Sequence, residues 1–247
     1  ETPARRIKNF TTPKFIAVIA AYFALLIPAA GYLLTAKPAA YEANLYTVDE
    51  SKICADTLTK TDCAVGAENQ SSKVLLMGDS HAAHLTPFID MVGKREGFAA
   101  DVISSNSCGV AFGFMLPQSD LRADRCNPYN RFIAQKIENY PVVFISQRWF
   151  LHTEKPGFTD YFGKMLDTLI QQGKQVYVFA DTPMNAQLPL RHYYLKQRLG
   201  LDMQYVSEHK KAEIARSAEA DKTIENIVKQ RPAVHWVNIM EPIPADK

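Results

Sequence analysis

No Cys-x-x-Cys pair occurs among the four cysteines of this 247-residue chain, which removes the spacing typical of zinc and thiol-exchange sites. No glycine-rich phosphate loop is present, so nothing marks a nucleotide pocket. There is no long basic stripe, and a net charge of +2 argues for no particular partner, nucleic acid included. Internal repeats and low-complexity tracts are missing, which excludes a repeat array. The chain opens at Glu1 rather than methionine, as a processed product or a fragment would.

What is present begins with an uncharged run from Phe15 to Ala36, rich in Ala, Leu, Ile, Phe and Val. About 20 such residues span a bilayer as a helix, and Pro28 and Gly31 are tolerated in lipid. A signal peptide is the competing reading, because Arg5, Arg6, Lys8 and Lys14 form a basic stretch ahead of it. The run is long for that, however, and Ala-Lys-Pro-Ala-Ala makes a poor cleavage site. A buried globular helix is the third alternative. Those basic residues place 1–14 in the cytoplasm and everything after 36 on the far side.

Residues 37–72 are polar and irregular, a linker turning into a lead-in. With apolar residues at 47% of the chain, the stretch 73–247 is long enough for one domain with a full core. Apolar strands are expected at Val74–Met77, Ala100–Ser104, Val142–Ser146, Gln175–Ala180 and Val234–Ile239. Helices are expected from His81 to about Gly97, over Phe158–Gln172, and from about Gln204 to Lys229. Strands apolar throughout and separated by helices specify a parallel sheet covered on both faces, with chemistry at the carboxyl ends of its strands. The cysteines fall into two local pairs, Cys54 with Cys63 and Cys108 with Cys126, the connectivity that closes the shortest loops. Four unrelated buried thiols are the alternative, and an oxidising compartment favours disulfides.

The most informative stretch is Val74-Leu-Leu-Met-Gly78-Asp79-Ser80-His81-Ala-Ala-His84. Gly78 allows a tight exit from the strand, Asp79 and Ser80 sit at its carboxyl end, and the helix follows. A hydroxyl there lies beside backbone N–H groups able to stabilise an oxyanion. The plainer reading is that Asp79 or Ser80 only caps the helix.

Gly-Asp-Ser-His behind a membrane helix resembles the first block of the SGNH/GDSL hydrolase superfamily. The form most like it is the SGNH domain fused to the C-terminus of acyltransferase-3 membrane proteins. Glu1-Thr2-Pro3-Ala4-Arg5-Arg6 is similar to the ending of such a membrane domain. The resemblance implies a three-layer α/β/α fold with a five-stranded parallel sheet over 73–247, preceded by one transmembrane helix (15–36). It implies a periplasmic domain on the bacterial inner membrane that O-acetylates a surface polysaccharide such as lipopolysaccharide O-antigen. Its partners would be the acyltransferase-3 domain of the same polypeptide, a glycan acceptor and the lipid bilayer. The domain itself would hold no cofactor, the membrane domain using an acetyl donor such as acetyl-CoA.

Ser80 is then the nucleophile. Gly78, Asp79, Asn106, Gly109, Arg148 and Trp149 are candidates for the oxyanion site or the cleft, as are His81, His84 and Asp181. Asn106 is equally readable as a turn former, Asp181 as a cap, and Arg148 as an anion binder, a partner stacked on Trp149, or half of an ion pair. His81 and His84 have no third partner at metal spacing, so no metal is expected. Arg191, His192, Tyr193 and Tyr194 suggest a lid or a packed loop. Two departures from the superfamily stand out. Ser146-Gln147-Arg148-Trp149 occupies the place of its Gly-x-Asn oxyanion donor, and no Asp-x-x-His occurs in the chain. The catalytic His and Asp are therefore expected past Lys247, and residues 1–247 alone are expected to be inactive. An extracytoplasmic carbohydrate esterase and a non-catalytic glycan-positioning module are the competing functions.

Overall fold

The computed structural model describes residues 63–71, 73–182 and 208–239, together with Ala24. The expected membrane span (Ala24 aside), most of the linker, Cys54, residues 191–194 and the start of the last helix lie outside the described residues. Among the described residues no helix is long and apolar enough to cross a membrane.

Among the described residues six strands form one mixed sheet: β1 (Ala64–Gly66), β2 (Val74–Gly78), β3 (Ala99–Ser104), β4 (Val142–Ser146), β5 (Gln175–Phe179) and β6 (Val234–Val237). Their order is β1-β3-β2-β4-β5-β6. Five run parallel, as the apolar runs required, and β1 pairs antiparallel with β3. The expectation of five strands is thus corrected to six. The extra strand is three residues long and sits in the lead-in, where it covers an otherwise open edge of β3.

The helices are α1 (Ser80–Glu96), α2 (Ala123–Lys136), α3 (Trp149–Thr153), α4 (Phe158–Gln171) and α5 (Glu208–Lys229). Period-two alternation divides β2 between the two faces of the sheet. Val74 and Leu76 pack with Ala82, Leu85 and Ile89 of α1. Leu75 and Met77 join Tyr129 and Ile133 of α2, Phe162 and Leu166 of α4, and Ile224 of α5. The result is helix, sheet, helix. Chain order reverses at β2, whose neighbours β3 and β4 lie on opposite sides, and such a switch point opens a crevice at the carboxyl ends of the strands.

Candidate active site

The crevice is built first from β2. Gly78 is paired in register with Ser146 of β4, and its backbone has φ 151°. A Cβ there would stand 1.8 Å from the Ser146 carbonyl oxygen, so only glycine lets the two strand ends close this tightly. The Tyr129 hydroxyl, from α2, lies 2.5 Å from the Gly78 carbonyl oxygen and 2.9 Å from that of Ile103, bracing the ends of β2 and β3.

Asp79 is fully buried and is the N-cap of α1, its carboxylate accepting the His81 N–H at 2.9 Å. Ser80, half-buried, is the first residue of the helix. Capping therefore belongs to Asp79 and leaves Ser80 uncommitted. Neither its Oγ nor its N–H has a hydrogen-bond partner among the described residues. A free hydroxyl beside a free donor, at the positive end of a 17-residue helix, suits a nucleophile whose attack creates an oxyanion.

Two carboxylate–imidazole couples flank Ser80. Asp79 Oδ2 accepts from His152 Nε2 at 2.8 Å and from the Arg148 N–H at 3.0 Å. Burial works against the Asp79 charge, but the His152 hydrogen bond and the charges of His152 and His81 outweigh it and hold the carboxyl below its ordinary value. On the other side, His81 Nδ1 lies 2.5 Å from Asp181 Oδ1, an ion-pair contact not aligned as a hydrogen bond. Thr182 Oγ1 stands within hydrogen-bonding distance of the same nitrogen, at 3.0 Å. Asp181 is fixed in turn by α5, where Ser217 Oγ donates to its Oδ2 at 2.7 Å and Asp221 accepts its N–H at 2.9 Å. Asp181 is thus the partner of His81, and the segment that it was expected to cap lies outside the described residues.

His152, Thr182, Ser217 and Asp221 were not identifiable from the sequence. The first lies four residues past Arg148 on a one-turn helix, and two of the others lie on a helix that reads as a solvated charged face. His84 is exposed, its ring 5.6 Å from that of His81.

Several cleft candidates take other roles. Trp149 is fully buried, stacks edge-on against Phe162 and donates from Nε1 to the Phe179 carbonyl, so it belongs to the core. Arg148 does not stack on it. Its guanidinium lies 4.7 Å from the centroid of the Phe150 ring and pairs with Glu213 of α5. Gly109 is where the loop after β3 passes over His152, since a Cβ would come within 2.6 Å of the ring.

Gln147, within the stretch that takes the place of the superfamily's Gly-x-Asn, is wholly buried and bonds both ways to the Val110 backbone. Asn130 and Asn127 clamp the same loop at Ala111 and Gly109 and at Leu116. Asn106 lies at the start of that loop, its carbonyl accepting from Arg125 at 2.6 Å. Cys108 is disulfide-bonded to Cys126 at the first turn of α2, which ties the loop down beside the crevice. Cys63 is disulfide-bonded as well. Among the described residues no group of three or more His, Cys, Asp or Glu is arranged to hold a metal ion.

The chain is thus an α/β domain whose switch-point crevice carries a serine at a helix start, flanked by carboxylate–imidazole couples. The family model described as "SGNH domain (fused to AT3 domains)" matches residues 48–243, and the chain belongs to that family. No curated protein matches it. Among solved structures it is similar to the periplasmic domain of the lipopolysaccharide acetyltransferase of Salmonella ser. Paratyphi A. The two are 14% identical, with a TM-score of 0.47, over 69% of this chain and 67% of that one.

Proposed function

We propose that this SGNH domain passes an acetyl group to a hydroxyl of a bacterial surface polysaccharide, such as lipopolysaccharide O-antigen, through an ester on Ser80. The acyltransferase-3 domain of the same polypeptide would deliver the acetyl group across the inner membrane, drawing on acetyl-CoA, and this domain would act in the periplasm. The observation that carries the reading is Ser80 itself, with Oγ and N–H both without a hydrogen-bond partner among the described residues at the N-terminus of α1. Membership of a family whose members are fused to AT3 domains supports the partner.

In the first half-reaction Oγ attacks the acetyl carbonyl and loses its proton to a base; the bond between the acetyl group and its donor then breaks, and the base returns the proton to the departing donor group. We assign that base to the superfamily's Asp-x-x-His histidine. The Ser80 N–H and the helix N-terminus stabilise the oxyanion. In the second half, a sugar hydroxyl attacks the Ser80 ester, its proton goes to the base, and Oγ leaves and is reprotonated. The test is Ser80→Ala in the intact protein, with acetyl content of the polysaccharide read by mass spectrometry. Loss of the acetyl group is expected, and unchanged acetylation would leave only a glycan-positioning module. Acetyl release to water with no acetylated glycan would make the protein an esterase.

A further inference from the structure

We propose that His152 is a positioning residue for the transfer step, acting on Ser80 through the Asp79 carboxylate; this rests on Ser80 being the acyl carrier. Asp79 touches both sides of the crevice. Oδ1 holds the His81 N–H in the first turn of α1, while Oδ2 holds the Arg148 N–H beyond β4 and the His152 ring from α3. Three donors converging on one buried carboxylate fix its direction, and with it the backbone turn that aims Ser80.

The His152 ring has little room to leave. The Gly109 backbone closes over Nδ1, and the Phe158 ring lies 5.5 Å away, centroid to centroid. With its side chain 5% exposed, His152 is shielded from the crevice, and its effect on substrate passes through Asp79. The coupling is also electrostatic. A carboxylate next to the nucleophile opposes an oxyanion forming there, and the donors on Oδ2 draw its charge away from Ser80.

The test uses the full-length protein with His152→Ala and His152→Gln. It measures kcat and KM for acetyl transfer together with amide hydrogen exchange at His81 and Arg148. His152→Ala is expected to lower kcat about 100-fold, with KM within about threefold of wild type, because misplacement near 1 Å costs that much. Exchange at the two amides is expected to quicken. Gln keeps an N–H that can reach the carboxylate, so it is expected to recover at least about tenfold of the lost kcat.

An unchanged kcat, a loss carried by KM, or unchanged exchange at both amides would overturn the proposal. Should the alanine variant not fold, Asp79→Asn with His152 intact is held to the same outcomes. Ser80→Ala run in parallel separates the two ideas. If that variant keeps full transfer, the Ser80 reading fails, and the exchange data alone decide whether His152 holds the turn.

Discussion

The two carboxylate–imidazole couples beside Ser80 are chemically alike but anchored differently. Asp79 and His152 have side chains 1% and 5% exposed, and the partners of Asp79 come from the segments that follow β2 and β4: the His81 N–H of α1, the Arg148 N–H and the His152 ring of α3. His81 and Asp181 are buried too, at 9% and 1%, but Asp181 hangs on Ser217 and Asp221 of a separate helix. The first couple is framework, joining β2, β4 and α3 at the point where chain order reverses. The second depends on how α5 is seated. Pairing an acid with an imidazole does not by itself make a catalytic group; what surrounds the pair assigns its role.

The largest expected effect falls on neither couple. Ser80→Ala should reduce acetyl transfer by at least about a thousandfold. Stability should stay within about 0.5 kcal/mol, because Ser80 has no hydrogen-bond partner among the described residues, and urea unfolding checks this. The couples themselves then separate by stability. Asp79→Ala strands a buried imidazole and removes the cap of α1, which should cost about 3–5 kcal/mol. Asp181→Ala, at the couple held from α5, removes no helix cap among the described residues and should cost less, about 1–3 kcal/mol. Urea unfolding showing the reverse order would break the comparison.

Replacing both Cys108 and Cys126 by Ala opens a loop of sequence separation 18 and should cost about 3 kcal/mol in the same measurement. Reading activity alongside would show how far the tether shapes the crevice.

The smallest effect sharpens the contrast through pH. Burial raises the Asp221 pKa from 3.8 to about 6, so the folded state binds this proton more readily than the unfolded chain. Its contribution to stability is full below 3.8 and is lost as pH rises through about 6. Asp79, held below 3.8, has the opposite sign, contributing above that value and losing the contribution as pH falls. Asp221→Asn, which keeps an acceptor for the Asp181 N–H, should flatten the stability profile between about pH 4 and 6. An unaltered profile would mean that this carboxyl titrates normally.

The fold was legible where burial is two-sided. Val142–Ser146 reads as a strand because alternate residues face different helical layers and both faces need apolar side chains. Helix α2 was illegible because its inward face mixes Tyr129 and Ile133 with Asn127 and Asn130, buried so that they can hold the loop, and Pro128 interrupts the pattern. Strand β1 is too short to show a period. At the site, Gly78, Asp79 and Ser80 announce themselves because one tight turn needs them consecutively. His152 and Ser217 do not, since they arrive from 73 and 36 residues away from their carboxylate partners and no local pattern records that. Arg148 and Trp149 were found, but their order of importance was not, as the tryptophan serves the core and the arginine pairs with Glu213.

Labelling of the intact protein with a serine-directed phosphonate, followed by peptide mass spectrometry, addresses the chemistry of Ser80 without reference to any sugar. An adduct on the peptide carrying Ser80, absent from Ser80→Ala, is the expected result. An unlabelled Ser80, or an adduct at a different serine, would contradict the assignment of this hydroxyl as the acyl carrier.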